Sequence, residues 1–421
     1  MNYFRLLLTF SLMAAVFASS MFPFYLNAQA SFVSLYKVSN SGGSLIQERI
    51  NAANDGDTIL INSGVYVENS YPIIVNKSLT VIGEDPFTTI IDGNKTDRGI
   101  FLVKANNVRI GNLTIQNTTI ETYAFSGVHI YNVQNVTVFD LVIRECGSGI
   151  QVTNSTYCVI TRNNITSNNV GIYLHSGSSY NNITDNFIAN SNSAGVWIAD
   201  TVSPYNKVFH NSFVNNTQQQ SNMGSYTSWD DGYPSGGNYW SDCSKIDIYN
   251  GAGQNISGSD GLVDVAYMDI DHYPLVEPPT FVHIYSLDKQ EYYCVVISNT
   301  STSDFYFNPE VGSFINFTVQ SVNDGVGFCR ISVPKALLWV ENGEQWSITI
   351  NGTFVNNPSI FEDNAYTYFY LTYGQGIFQI KIEGHHVIPE IPSIGVLIFL
   401  ISLVTIFFAV IEKLKPIRPS A

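Results

Sequence analysis

Cysteine and methionine are scarce in this 421-residue sequence, five of each, and 19 Lys and Arg face 34 Asp and Glu for a formal net charge of −15. An odd number of cysteines cannot all pair within one chain, so a disulfide scaffold is excluded. Cys158 falls at an inward position of the repeat described below and reads as a small core residue. Cys294 and Cys329 share a downstream segment and are open to a bridge. The shortage of cations argues against nucleic acid and anionic membrane surfaces as partners, since both demand clustered positive charge. An acidic surface suits a soluble extracellular protein, with or without bound cations. The length leaves room for two or three domains.

Two apolar segments bracket the chain. Met1-Asn-Tyr-Phe-Arg5, the run Leu6 to Tyr25 and the small-x-small triplet Ala28-Gln-Ala30 have the layout of a secretory signal peptide over residues 1–30. At the other end Ile394 to Ile411 is 18 residues without a charge, followed by Lys413, Lys415 and Arg418. That length suffices for a tilted transmembrane helix, and the trailing cations place the tail inside. The expectation is a cell-membrane protein with one span, an extracellular body and a short cytoplasmic tail; a removable sorting tail is the other reading of the same run.

Between them, from Val108 to Asn216, one pattern recurs every 22 to 28 residues. Gly127-Val-His-Ile130, Gly149-Ile-Gln-Val152, Gly171-Ile-Tyr-Leu174 and Gly195-Val-Trp-Ile198 align. So do the runs starting at Ile110, Val138, Ile160, Ile183 and Val208. Short alternating strands joined by Asn/Gly/Ser turns at this period predict a stacked β-solenoid. Period-2 alternation turns Ile110, Val138, Ile160, Ile183 and Val208 inward as one stack, and Ile115, Ile143, Ile165, Ile188 and Phe213 as another. Asn163, Asn186 and Asn211 take the inward place held by Leu113 and Leu141, which predicts a buried asparagine ladder. Ahead of the coils, Ser44 to Ala53 reads as a short amphipathic helix that lids the open first rung.

Function must lie on the outward positions. His129, Gln151, Tyr173 and Trp197 form one such column, one residue per coil. Aromatic faces beside hydrogen-bonding groups suit sugar stacking; a column covered by a loop, or ordinary surface aromatics, is the competing reading. Across the coil Asn112, Asp140, Arg162, Asp185 and His210 line up. Asp140 and Asp185, two coils apart, stand roughly 9–10 Å from each other at a rung spacing of about 4.8 Å, near the upper limit for an inverting carboxylate pair. With Arg162 between them they read better as a charge ladder.

The expected organisation is all-β: a parallel β-helix with its capping helix over 31–245, an acidic Gly-rich linker over 246–279, an antiparallel β-sandwich over 280–387 and the membrane anchor over 388–421. The sandwich rests on some eight alternating strands in about a hundred residues. In the linker, Asp260, Asp264, Asp269 and Asp271 are candidate calcium ligands in a Gly-rich stretch, though their spacing fits no complete calcium loop; no other cofactor is expected. Asn-x-Ser/Thr occurs at Asn76, Asn94, Asn112, Asn117, Asn135, Asn154, Asn164, Asn182, Asn215, Asn255, Asn299, Asn316 and Asn351, candidate glycosylation sites on an exported chain.

The coils, together with Asn54-Asp-Gly-Asp-Thr58, Asn76-Lys-Ser-Leu-Thr-Val-Ile-Gly83 and Thr89-Ile-Ile-Asp-Gly93, resemble the NosD-like branch of right-handed parallel β-helix proteins, within the pectin-lyase-like superfold. Asn238-Tyr-Trp-Ser-Asp242 and Asp271-His-Tyr-Pro-Leu275 resemble motifs that close the helix in archaeal surface members. The resemblance implies a surface protein whose helix contacts glycan or cell-envelope components without catalysis. Its alternatives are a polysaccharide lyase or hydrolase on the same fold, or a copper-site maturation factor. No Asp-Asp or Gly-His-Gly of the polygalacturonase kind lies in the coils, and no Cys/His/Met cluster has metal-ligand spacing.

Overall fold

The computed structural model describes residues 34–39 and 45–387, apart from 225, 288, 289, 311, 323, 324 and 342. The signal-peptide and membrane-helix segments lie outside the described residues. Among the described residues no helix is long and apolar enough to cross a membrane. The chain divides into two compact units, Met1–Lys207 with Phe213–Thr227, and Val208–Ser212 with Ser228–Ala421.

The first unit is a right-handed parallel β-helix with three strands per coil. A first sheet stacks Leu35–Val38, Thr58–Ile61, Thr80–Gly83, Arg109–Gly111, Thr137–Phe139, Val159–Thr161 and Asn182–Thr184 in that order. A second stacks Ile73–Val75, Phe101–Val103, Ser126–Tyr131, Ser148–Thr153, Val170–His175, Ala194–Ile198 and Gln218–Asn222. A third runs from Gly64–Tyr66 through Thr89–Thr96, Thr114–Thr118, Val142–Arg144 and Asn164–Thr166 to Phe187–Ala189. The helix Leu45–Ala52 buries Ile46 and Ile50, the two residues that present its apolar face to the first strands.

The inward stacks fall in register to the residue. Ile110, Val138, Ile160 and Ile183 pair in succession, as do Ile115, Ile143, Ile165 and Ile188, all without measurable exposure. Each such side chain contributes roughly 1.5–3 kcal/mol by burial. The asparagine ladder is present: Asn163 Nδ2 donates to Asn186 Oδ1 at 2.9 Å, and Asn186 Nδ2 to the Ile160 carbonyl at 2.8 Å. Two further buried ladders that the sequence pattern did not suggest run through Asn168 and Asn216 and through Asn181 and Asn206.

In the second unit, two five-stranded antiparallel sheets face each other. One runs Thr280–Leu287, Gln290–Ser298, Gly327–Pro334, Tyr366–Tyr373, Ser359–Glu362; the other runs Ser301–Asn308, Phe314–Ser321, Gly376–Glu383, Ser347–Ile350, Thr353–Phe354. Cys294, Cys329, Phe317, Ile331, Phe369 and Ile382 are among the core they enclose. The bridge left open between Cys294 and Cys329 does not form: all five cysteines are free. On the adjoining strands Cys329 sits opposite Ser298, four residues along from Cys294, which puts the two Cα atoms beyond the ~7 Å that a disulfide tolerates. Alkylation in denaturant without reductant should therefore add five adducts to the chain. In the folded protein Cys146, Cys158, Cys294 and Cys329 should stay unmodified, since burial pushes each thiol up. Three adducts in denaturant would mean a bridge.

The acidic stretch expected as a linker over 246–279 is packed into the second unit. Leu262, Val263, Leu275 and Val276 are buried, and Asp260 and Asp271 with them. The apolar residues interleaved with the acids give it a core contact that a solvated tether lacks. Gly261 lies against Arg330, a cation with 1 % exposure that rests over the Tyr368 ring at 4.6 Å and donates to the Pro234 carbonyl.

Candidate functional site

The outward column predicted on the second sheet is one column in the structure. His129 pairs with Gln151, Gln151 with Tyr173 and Tyr173 with Trp197. Its surroundings differ from an open strip. A loop covers part of it: the Ser148 hydroxyl donates to the Tyr123 carbonyl at 2.7 Å, and the Tyr123 ring sits 5.0 Å from Tyr173 and 5.5 Å from Trp197. Tyr173 and Trp197 are themselves 5.0 Å apart. Tyr173 is buried beneath this cover at 8 % exposure, and Gln151 is buried at 7 %, while His129 and Trp197 stay half-buried and Tyr123 is exposed.

The polar end of the column is tied to the next outward column, Thr153 and His175. Thr153 Oγ1 lies 2.8 Å from His129 Nε2 and 3.0 Å from His175 Nε2. Gln151 Nε2 is 3.0 Å from His175 Nε2. An amide nitrogen only donates, so with this amide placement His175 Nε2 accepts and its proton is on Nδ1, which meets Ser176 Oγ at 2.8 Å. Burial, with His175 alongside, pushes the His129 imidazole down to about 4, and burial lowers His175 too.

The unfolded His129 ring, near the ordinary value of about 6.5, takes up a proton before the folded one does. The neutral ring's contribution is therefore complete above that value and is lost as pH falls from there towards 4. Its imidazole resonances should stay in the neutral position at pH 5.5 in an NMR titration of the folded chain; a midpoint above 6 would contradict the buried arrangement.

Asn112, Asp140, Arg162, Asp185 and His210 turn out to be turn residues, not strand positions. All five have left-handed backbones, φ 57, 52, 54, 65 and 56°. Arg162 holds Asp140 with two bonds of 2.9 Å, and Asp185 Oδ2 lies 3.2 Å from Thr161 Oγ1. His210 Nε2 is 3.1 Å from the Ser235 carbonyl. A carboxylate clamped by a guanidinium is poorly placed to act as an acid or nucleophile.

The four aspartates proposed for calcium are dispersed. Asp260 accepts from the Leu262 N–H and from Gln254, Asp264 from the N–H groups of Ile248 and Tyr249, and Asp271 from the N–H groups of Asn238 and Tyr273 and from Trp240 Nε1. Asp269 lies at a left-handed turn, φ 56°. The carboxylates of Asp260, Asp264 and Asp271 are each taken up by their own set of backbone or side-chain donors. Among the described residues no three His, Cys, Asp or Glu side chains gather to hold a metal ion. Of the glycosylation candidates, Asn112 and Asn117 are half-buried with amides donating to Gly83 and Asp92, and Asn316 is half-buried in a sandwich strand. The other ten are exposed.

One feature was not foreseen. Tyr157, Tyr180, Tyr205 and Tyr226 form a stacked ladder on the turn that follows the second sheet, with centroids 5.3, 5.2 and 5.3 Å apart and planes within 15, 19 and 12°. All four have left-handed backbones, φ 56 to 58°, in the place that Asn107 and Asn135 hold in earlier coils. For a bulky residue that conformation costs on the order of 1 kcal/mol; each stacked pair returns about 0.5–1.5 kcal/mol. Tyrosine before an inward Cys or Asn, as in Tyr157-Cys158, Tyr180-Asn181 and Tyr205-Asn206, is the signal that would have revealed it.

Three stacked parallel sheets around an Ile/Val core define a right-handed parallel β-solenoid. Residues 27–245, just over half of the chain, match the family model described as "Periplasmic copper-binding protein (NosD)", and the chain belongs to that family. No curated protein matches it significantly. Among solved structures it is similar to an alginate lyase from Paenibacillus sp. str. FPU-7 (13 % identity, TM-score 0.39, covering 46 % of this chain and 74 % of that one). It is also similar to the catalytic domain of a GH87 alpha-1,3-glucanase (18 %, TM-score 0.35, 54 % of this chain and half of that one) and to the pectin methylesterase PemA from Erwinia chrysanthemi (12 %, TM-score 0.29, 47 % and 70 %). Among the described residues no set of ligands fits the copper of the family's description. His129 and His175 meet only through Thr153, four of the five thiols are fully buried, and Met223 and Met268 are exposed on separate turns.

Proposed function

We propose that this chain is a non-catalytic cell-surface protein whose β-helix binds glycan or cell-envelope polysaccharide on the second sheet. The observation that carries this reading is the cluster of Tyr123, Tyr173 and Trp197 beside the hydrogen-bonded set of His129, Gln151, Thr153 and His175. Ring faces with polar groups at one end are what a pyranose, apolar on its faces and hydroxylated at its rim, requires. The clamped Asp140 supports binding over hydrolysis. The signal segment and the apolar run 394–411 would export the body and tether it to the membrane, with exposed sequons such as Asn76 and Asn164 available for glycosylation.

The test screens the purified ectodomain against polysaccharides for retention and for reducing-end release together. Retention without release is expected, with Trp197→Ala lowering affinity at least tenfold. Release abolished by Asp140→Asn would make the protein an enzyme instead.

A further inference from the structure

We propose that the ladder of Tyr157, Tyr180, Tyr205 and Tyr226 is a second binding strip, taking a neutral, extended polysaccharide laid along the coil axis. The ligand class rests on the reading above; the residues do not, since the ladder lies on a turn outside the column of His129 to Trp197.

Making the turn does not require tyrosine. Asn107 and Asn135 occupy the same left-handed position in the two preceding coils, where asparagine is at ease. From Tyr157 onward four successive turns carry a residue that the backbone disfavours. None of it is hidden: the four side chains are 55, 47, 48 and 77 % exposed. Their hydroxyls take no hydrogen bond from the described protein groups, so a row of donors and acceptors at 5.2–5.3 Å intervals faces outward.

The geometry also selects the ligand. Stacking covers the ring faces and leaves the edges, the positive rim of each quadrupole, next to the hydroxyls. That combination favours an oxygen-rich partner over an apolar one. Charge then separates neutral from acidic chains. Residues 153–158, 176–181, 200–206 and 222–227, which carry the ladder, contain one charged side chain, Asp200, and it is held by Ser203 Oγ and the Ser176 N–H. No cation in these turns offsets the chain's net charge of −15 for a polyanion. Repetition selects a polymer: an extended pyranose chain advances by nearly one coil spacing per sugar, so successive sugars meet successive tyrosines.

Affinity electrophoresis of the ectodomain through dextran, mannan, a β-1,3-glucan and hydroxyethylcellulose, with alginate as the acidic comparison, tests this. The parent should be retarded by at least one neutral polymer, and more than by alginate. Tyr180→Asn with Tyr205→Asn restores the residue that suits the backbone, so melting should hold within about 2 °C while retardation falls at least tenfold. Tyr180→Phe with Tyr205→Phe keeps the stack and removes two hydroxyls; a severalfold loss is expected and covers the case in which the asparagine pair fails to fold. Unchanged retardation in a folded variant, or a preference for alginate, would overturn the strip. Loss with Trp197→Ala alone would leave the sheet-face reading standing and end this one. Loss with the tyrosine variants alone would do the reverse. No retardation of the parent by any polymer would end both.

Discussion

Gly237→Ala is expected to unfold much of the second unit's first segment at temperatures where the parent is intact. A methyl group at this position would lie 1.9 Å from Asp271 Oδ1 and 2.3 Å from its Cγ, far inside any tolerated contact. The carboxylate cannot move aside cheaply. Its Oδ2 accepts the Asn238 N–H at 2.7 Å and Trp240 Nε1 at 2.8 Å, and its Oδ1 accepts the Tyr273 N–H at 3.1 Å. Asp271 has no exposure, and burial pushes its carboxyl up to about 7 against those three donors. Displacing it would strand three buried donors, each worth about 1–3 kcal/mol when unsatisfied, on top of the overpacking cost of about 1–3 kcal/mol. A loss of at least about 3 kcal/mol, or some 6–12 °C in melting, is the expected size. Trp229 and Trp240 are both buried, so their fluorescence should shift to the red in the same transition. Gly374→Ala is the control, because a Cβ there meets nothing within 4 Å and the backbone is ordinary. A Gly237→Ala protein that melts like Gly374→Ala would show that Asp271 is not the fixed anchor described.

The same contrast explains what could be read in advance. The inward stacks of Ile110 to Ile183 and Ile115 to Ile188 were legible because a strand's alternation is rigid: a one-residue slip would expose every isoleucine. For that reason the column from His129 to Trp197 was placed in correct register as well. Turns have no such periodicity. Asp140, Arg162 and Asp185 looked like outward strand residues, yet they sit in left-handed turns, where aspartate is common and arginine is not. The tyrosine ladder was missed although its members keep the coil spacing, following one another after 23, 25 and 21 residues: a turn position has no in–out alternation around it to mark which way its side chain faces. Nor could composition show that the acidic stretch is packed, since its burial depends on Leu262 and Val263 within a unit whose sheets come from far along the chain.

In the coils, Asn186→Ala should be among the most damaging single truncations of a polar side chain, alongside Asn206→Ala, which removes an equivalent set of four bonds. Asn186 Oδ1 accepts from the Asn163 N–H at 3.0 Å and from Asn163 Nδ2 at 2.9 Å; its own Nδ2 donates to the carbonyls of Ile160 at 2.8 Å and Thr184 at 2.9 Å. With Asn163 at 1 % and Asn186 at 2 % exposure, water cannot take over these bonds. The Asn163 N–H would be orphaned and the Asn186 amide's bonds to the Ile160 and Thr184 carbonyls lost, a loss of about 3 kcal/mol from the range for buried unsatisfied groups. Asn186→Leu sharpens the test, because Leu113 and Leu141 fill the corresponding inward place in earlier coils and are buried there. Leucine restores volume but none of the hydrogen bonds. If the ladder acts through its bonds, leucine should cost nearly as much as alanine; if it acts through packing, leucine should melt like the parent. The bonds are expected to win, because Asn163 is itself an asparagine whose backbone and amide both point at position 186, whereas the chain around Leu141 is served from the next coil by Asn163 Oδ1 at 3.0 Å. The consequence extends to the surface. Asn186 lies in the coil between the strands Val170–His175 and Ala194–Ile198, which set Tyr173 against Trp197. Hydrogen exchange in both strands should therefore rise in Asn186→Ala, and any glycan retention through the face proposed above should fall with it although none of that face's side chains has changed.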